Sequence, residues 1–168
     1  LQYRPGRPTL QELAAGFVEA DDFSYIELFN RSAAELDLRG VRFVEGVRFD
    51  FSDSPVQSLA AGARVLVAEN ADALRLRVGE QVAIAGDWAG GLDGDGESLH
   101  LIDHTGQTIH RFAYDVIAPW PELSESEGAS IEVRDTESDY NAAANWAASR
   151  AGGSPGQDST PAGDLNGD

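Results

Sequence analysis

The sequence predicts an all-β protein, an antiparallel β-sandwich of the immunoglobulin type with one or two short helices. From residue 23 onward, apolar residues recur with a period close to two, which is the period of a strand with one buried face. About nine such segments follow one another, each bounded by turn residues. The 18 glycines and 7 prolines of the chain supply these turns. A closed barrel has the same periodicity and stays the alternative architecture.

Length, charge and composition narrow the classes of function. The 168 residues are enough for one domain with its own core. The chain contains no cysteine, which excludes disulfides, thiolate metal sites and thiol catalysis. Its net charge of −17 repels nucleic-acid phosphates and anionic lipids, so we expect no nucleic-acid partner and no membrane insertion. Neither end resembles a natural terminus, and we expect the chain to be an excised piece of a larger protein.

Two helices are predicted from their capping residues. Thr9 with Glu12 three positions later fits a capping box. The buried face expected for this first helix is an apolar stripe formed by Leu10, Leu13 and Phe17. Asn70 fits the N-cap of a second helix over residues 71–78, which Gly79 would end.

The strands and the core follow from hydrophobic alternation. Strands are predicted at residues 1–3, 23–29, 36–43, 47–51, 64–68, 82–84, 98–102, 108–114 and 130–133. The core is predicted to include Tyr25, Ile26 or Leu28, Val65 or Leu66, Leu99 or Leu101, and Phe112 or Tyr114. Trp146 is predicted to be buried as well. For Trp88 and Trp120 two interpretations stay open, a core residue or a platform for a ligand. Residues 1–156 form the predicted domain. From Gly152 the sequence is rich in Gly, Pro, Ser and Asp, and residues 157–168 form a predicted flexible linker.

One short motif raises the question of catalysis. Residues 152–156 read G-G-S-P-G and match the G-x-S-x-G pattern that presents a nucleophilic serine in hydrolases. The residue after Ser154 is Pro155, which has no N–H to contribute to an oxyanion hole, and no histidine follows in the sequence. We therefore favour a structural turn and expect no catalytic residue, with a hydrolase as the alternative.

Three groups of residues are candidates for metal binding. His100, His104 and His110 lie in one hairpin region, where Asp103 is the obvious carboxylate, and we favour solvent-facing strand and turn positions for them. The second group has alternating carboxylates in a glycine-rich loop that would suit calcium, although a polar hairpin loop is favoured: Asp93, Asp95 and Glu97. The third group is the start of an EF-hand loop whose later ligands are not in the sequence: Asp164, Asn166 and Asp168. No cofactor is expected, with calcium as a possibility.

Several motifs occur in an order that resembles one known family. They are D-F-S-Y-I-E-L-F-N at 22–30, L-D-L-R-G at 36–40, L-A-A-G at 59–62, G-E-S-L at 96–99, W-P at 120–121, N-W at 145–146 and G-S-P-G at 153–156. Their sequence and spacing resemble the lamin tail domain family, in its bacterial branch, over roughly residues 21–156. Ala61 stands where the family usually has proline.

The resemblance implies an immunoglobulin-like sandwich without catalysis. Bacterial members resemble accessory domains of large secreted or cell-surface proteins, and the last residues resemble the start of a dockerin-type repeat. The expectation is therefore a noncatalytic interaction or spacer domain that is extracellular and attaches to a protein or cell-surface component. The alternatives are a calcium-dependent binding module and a hydrolase accessory domain. The family shares no ligand-contacting motif, so no binding residue is transferred.

Overall fold

The structure is a computed structural model that describes residues 1–124 and 126–157. The described backbone is mostly strand with two short α-helices, which confirms the predicted all-β class. The helices are α1 (Leu10–Ala14) and α2 (Ala71–Val78). Single 3₁₀ turns cover Asp21–Phe23, Phe51–Asp53 and Ala143–Asn145. The strands are β1 (Tyr25–Phe29), β2 (Leu36–Asp37), β3 (Arg42–Glu45), β4 (Phe49–Asp50), β5 (Ser58–Leu59), β6 (Arg64–Ala68), β7 (Ile84–Asp87), β8 (Ser98–Ile102), β9 (Thr108–Ala113), β10 (Ile131–Val133) and β11 (Trp146–Ala148).

Two larger sheets contribute to one shared core. One sheet has the strand order β4-β3-β8-β9, and the other has the order β1-β6-β7. The inward side chains of Ile26 and Val65 from the second sheet meet Phe43 and Leu101 from the first in a single buried cluster. The pairs β2–β5 and β10–β11 are separate two-stranded sheets. The predicted core positions Tyr25, Ile26, Val65, Leu66, Leu99, Leu101 and Tyr114 are all buried.

One strand pair departs from the antiparallel pattern. β6 and β7 run parallel, and α2 connects them, because parallel neighbours need a crossover connection. Leu74 of α2 packs with Tyr25, Leu66 and Ile84 on the outer face of this sheet. The helix begins and ends as predicted: the Asn70 side chain accepts a hydrogen bond from Ala73 N at 3.1 Å, and Gly79 has a φ of 85°.

The first helix was predicted correctly in its cap and wrongly in its buried face. Thr9 and Glu12 form the predicted capping box, with Thr9 N donating to Glu12 Oε2 at 2.7 Å. Leu10 is nevertheless 87% exposed and Leu13 is also exposed, whereas Glu12 is buried. The helix is only 5 residues long, so tertiary contacts and not its own periodicity decide which side is covered.

Several predicted strands are shorter than their hydrophobic pattern. The predicted strand at 36–43 is interrupted where Val41 N donates to Leu38 O at 2.9 Å, closing a turn. This turn includes Gly40, whose φ is 77° and whose position leaves no room for a β-carbon beside His104. Neither β5 nor β11 was predicted, because two or three residues are too few to show a period.

The predicted strand at the start of the chain is a short bridge between two others. Gln2 exchanges backbone hydrogen bonds with Tyr25, at 2.8 and 3.1 Å. Leu1 likewise bonds Ile131 in both directions, at 2.9 Å each. These two residues therefore connect β1 to β10, which joins the β10–β11 pair to the β1-β6-β7 sheet.

Candidate functional site

A groove of about 960 Å³ receives residues from both sheets. It is lined by β1 and β9, each of which is the outermost strand of its sheet. Ile26, Leu99 and Leu101 contribute to its apolar lining. Residues of β10 and of the segment between β10 and β11 complete it. The groove therefore lies at the side of the sandwich where, among the described residues, β9 has no further strand and β1 pairs only with residues 1 and 2.

Three large apolar side chains on the groove remain exposed to solvent. Phe29 of β1 is 42% exposed, Leu36 of β2 is 42% exposed and Ile109 of β9 is 50% exposed. All three line the groove. We call this set of three the apolar rim.

An aromatic cluster forms one wall of the groove. The rings of His110 and Tyr140 have centroids 4.0 Å apart, and Phe112 lies 5.3 Å from Trp146. Trp146 is buried, as predicted, and its Nε1 donates to Tyr140 O at 2.8 Å. Burial lowers the pKa of His110, and the nearby positive charge of Arg31 lowers it further. The prediction that His110 faces solvent is wrong, because its strand position places it against Tyr140.

The other two tryptophans have structural partners. Trp88 is buried, and its Nε1 donates to Glu69 Oε2 at 2.6 Å. Trp120 is partly buried against Trp146, with ring centroids 6.0 Å apart. Both side chains therefore belong to the packed body of the domain.

Ion pairs at the groove join its separate strands and loops. Arg31 follows β1 and pairs with Glu137, which lies between β10 and β11. Arg64 of β6 approaches Glu27 of β1, with 3.3 Å between Arg64 Nε and Glu27 Oε1. The Arg31–Glu137 pair ties together two segments that no shared backbone bond connects in the described residues.

Ser154 is buried against the Glu132 carboxylate, and its contacts hold the turn in place. Its hydroxyl donates to Glu132 Oε1, which also accepts a bond from Ser130 Oγ at 3.2 Å. Gly156 N donates to Glu27 Oε2 at 2.6 Å, so the G-S-P-G turn is held to both β1 and β10. Burial raises the pKa of the Glu27 carboxyl. Among the described residues, Glu132 Oε2 is buried without a hydrogen-bond partner.

The three histidines do not converge. In the β8–β9 pair, His100 lies opposite Arg111 and His110 opposite Leu101, so their side chains are on opposite faces of the sheet. His100 Nε2 is 2.8 Å from Thr108 Oγ1, and His104 lies in the turn beside Gly40. Over residues 1–124 and 126–157, no group of three His, Asp or Glu side chains is placed to hold a metal ion.

The acidic loop at 93–97 uses its carboxylates to hold its own conformation. Asp93 N donates to Glu97 Oε1 at 2.8 Å, and Asp95 N donates to Asp93 Oδ1 at 2.8 Å. The Tyr114 hydroxyl donates to Glu97 Oε1 at 3.2 Å. Calcium binding to Asp93, Asp95 and Glu97 stays a prediction. The incomplete EF-hand residues Asp164, Asn166 and Asp168 lie outside the described residues.

Sequence reasoning did not find the groove or its apolar rim. Phe29 and Leu36 belong to the consecutive strands β1 and β2, whereas Ile109 belongs to the distant strand β9, and the sequence predicts each of them only as a strand residue. No local pattern distinguishes an exposed apolar strand residue from a buried one when both lie at alternating positions. The Asn-Trp motif at 145–146 was the one local signal for this part of the molecule.

The two packed sheets, the shared core and the groove define an immunoglobulin-like β-sandwich domain. The chain belongs to the lamin tail domain family, whose model matches residues 5–115. The described body extends past this match, because Val133 and Trp146 pack against the same core cluster. No curated protein and no solved structure gave a match. In the described part of the chain, no helix has the length and apolar character needed to cross a membrane.

Proposed function

We propose that this chain is a noncatalytic interaction domain of a larger secreted or cell-surface bacterial protein, and that it attaches its parent to a protein partner. The apolar rim is the observation that carries the proposal. Three exposed apolar side chains around one groove form the type of surface that soluble domains use for protein contacts. Isolated exposed apolar residues are common on any protein, but these three share one concave site.

The charge of the chain indicates what kind of partner it accepts. With 29 acidic and 12 basic residues, the domain attracts a basic surface and repels an acidic one. We therefore propose a partner that presents apolar side chains within a basic surround. The carboxylates of Asp37 and Asp103 also line the groove, and each already accepts hydrogen bonds from neighbouring residues of the chain.

The environment of Ser154, in the G-x-S-x-G match at residues 152–156, supports a noncatalytic role. Ser154 is buried, and its hydroxyl donates to a carboxylate. Pro155 has no backbone N–H, so the turn has no oxyanion donor immediately after the serine. The extracellular setting is supported by the resemblance to the bacterial branch of the family and by the dockerin-like end of the sequence.

Site-specific photo-crosslinking tests the proposed surface. A photoreactive residue at position 109 should give one discrete adduct when the domain is mixed with the secreted and envelope proteins of its host. Unlabelled domain should compete for this adduct, whereas a Phe29→Asp domain should not. A Leu10→Asp competitor is the matched control, because Leu10 is exposed but does not line the groove. Equal competition by all three competitors would show that the apolar rim is not the contact surface.

A further inference from the structure

β9 is the last strand of its sheet, and its backbone groups alternate between β8 and the open side. Directly after β9, Tyr114 N donates to Glu97 O at 3.0 Å, so these two residues are a hydrogen-bonded pair that continues the β8–β9 ladder. Hydrogen-bonded pairs occur at every second position of an antiparallel ladder. The N–H and C=O of Phe112 therefore also face β8, whereas those of Ala113 and Arg111 face away from it.

The chain covers one end of this open edge and leaves the next position free. Ala113 N donates to Asn141 Oδ1 at 3.0 Å, which confirms that the backbone of Ala113 faces away from β8. Arg111 has the same orientation two residues earlier. Among the described residues, no hydrogen bond from outside the β8–β9 pair reaches its N–H or C=O. A free donor and a free acceptor on one residue of an outermost strand are the groups to which an added strand bonds.

A bulge in β9 brings an apolar side chain to the groove side of this edge. The register between β8 and β9 shifts between Leu101 and Ile102, because Ile109 is an extra residue in β9. Ile109 lines the groove and is 50% exposed. The side chain of Arg111 lies on the opposite face, where its Nη2 donates to Glu45 Oε1 at 2.9 Å. An added strand would therefore have an apolar neighbour on its groove side and a charge-paired, solvated neighbour on its other side.

We propose that the partner contributes an extended segment that pairs with β9 as an added strand, and that this segment alternates apolar and basic side chains. The inference rests on the proposed function and specifies how the partner binds. Apolar side chains of the segment would meet Ile109 and the rest of the apolar rim. Basic side chains suit its solvent-facing positions, because the chain has 29 acidic and 12 basic residues. A second copy of this chain would bring the same negative charge and is disfavoured.

A short designed peptide is the probe, because the pairing depends on the backbone and on the pattern of side chains. Acetyl-Arg-Val-Arg-Ile-Arg-Val-Arg-amide alternates basic and apolar residues. Acetyl-Arg-Arg-Arg-Arg-Val-Ile-Val-amide is the matched control, with the same composition and charge but no alternation. The readouts are the Kd from an NMR titration and hydrogen exchange at individual backbone amides. The alternating peptide should bind at least about 10-fold more tightly than the control.

Two variants at position 111 separate main-chain pairing from side-chain contact. Arg111→Pro removes the outward N–H without removing a ladder bond to β8, as is typical of proline on an outermost strand. Arg111→Ala keeps this N–H, and both variants lose the ion pair with Glu45. The Arg111→Pro protein should therefore bind the alternating peptide at least about 10-fold more weakly than the Arg111→Ala protein.

Hydrogen exchange tests the strand in the unmodified protein, so the test does not depend on the folding of Arg111→Pro. At saturating concentrations of the alternating peptide, exchange at the Arg111 amide should slow at least about 10-fold. The amides of His110 and Phe112 face β8 and should not change.

Four results would overturn the proposal. They are equal affinities of the two peptides, equal affinities of the two variants, unchanged exchange at the Arg111 amide, and self-association of the free domain that protects this amide. The last result would assign the edge to a second copy. The crosslinking at position 109 distinguishes the two proposals: an adduct that depends on the apolar rim, together with any of these results, would keep the proposed function and reject the added strand. Absence of such an adduct would reject the proposed function itself.

Discussion

Glu12 and Arg77 form a bidentate ion pair that joins the two helices. Arg77 Nε donates to Glu12 Oε1 at 2.8 Å and Nη2 donates to Glu12 Oε2 at 2.9 Å. The guanidinium carbon also lies 3.4 Å from the centre of the Phe23 ring. The carboxylate that caps α1 is therefore the same group that holds α1 against α2. Because this carboxylate is buried and its ion pair is bidentate, the pair should stabilise the fold by more than a surface ion pair does.

Arg77→Ala is expected to lower the free energy of unfolding by about 2–4 kcal/mol, because it leaves the buried Glu12 carboxylate without its cation. The measurement is urea denaturation near neutral pH. Arg75→Ala is the matched control, because Arg75 lies on the same helix and pairs with the exposed Glu80 at 3.3 Å. That change should cost no more than about 0.5 kcal/mol. Equal losses for the two variants would contradict the role assigned to Arg77.

The same pair predicts a pH dependence of stability. The hydrogen bond from Arg77 holds the pKa of Glu12 at about 2, below its ordinary value of 4.5. A carboxyl whose pKa is lower in the folded state stabilises the fold fully above the unfolded pKa and loses that contribution as the pH falls through the folded pKa. The difference in unfolding free energy between the wild type and Glu12→Gln should therefore be largest near neutral pH and shrink below pH 4.5. If the difference in unfolding free energy between the two proteins did not change with pH, the lowered pKa of Glu12 would be contradicted.

Trp146→Ala should destabilise the domain by about 3–5 kcal/mol, as for other truncations of a core aromatic side chain. The indole packs against Phe112, Tyr140 and Trp120 and donates a hydrogen bond to Tyr140 O. Trp146→Phe keeps most of the packing and should cost roughly half as much. In a protein whose other two tryptophans are replaced by Phe, the native fluorescence of Trp146 should be blue-shifted. An unchanged denaturation midpoint for Trp146→Ala would rule out this anchoring role.

Ser154→Ala is expected to change stability and no reaction rate. Loss of the hydroxyl removes a donor from the Glu132 carboxylate, which should cost about 1–3 kcal/mol. Ser58→Ala, at an exposed serine of β5, should change the unfolding free energy by less than about 0.5 kcal/mol. Assays with generic ester substrates should show no activity that depends on Ser154. An esterase activity lost in the Ser154→Ala protein would restore the hydrolase alternative.

Calcium titration tests the acidic loop. Because Glu97 and Asp93 already accept bonds from loop amides, binding calcium would require these bonds to be exchanged for metal contacts. We expect millimolar calcium to raise the melting temperature by less than about 1 °C. The control is the Asp95→Asn protein, which should respond in the same way as the wild type. A larger rise that Asp95→Asn abolishes would establish a calcium site there.

Local signals predicted the elements whose determinants lie within a few residues. The Thr9–Glu12 capping box, the Asn70 cap and the Gly79 end of α2 were all correct, because a cap is a contact between near neighbours. The strands at 64–68 and 98–102 were also predicted with the observed bounds, since the first contains an unbroken apolar run and the second has Leu99 and Leu101 at alternate positions. The buried face of α1 was wrong because Glu12 finds its partner 65 residues away.

The sequence by itself determined the all-β class, the two helices and the family, because periodicity, caps and ordered motifs are properties of short segments. Only the tertiary structure decided which strands end each sheet, and therefore where the groove and its apolar rim lie. Phe29, Leu36 and Ile109 are apolar for the same local reason as their buried neighbours. They become a surface because β1 and β9 are outermost strands, and that position depends on backbone pairing between residues distant in the chain. Ser154 is a second example. Its motif is typical of a nucleophile, but in the folded protein its hydroxyl donates a hydrogen bond to Glu132, 22 residues away in the sequence.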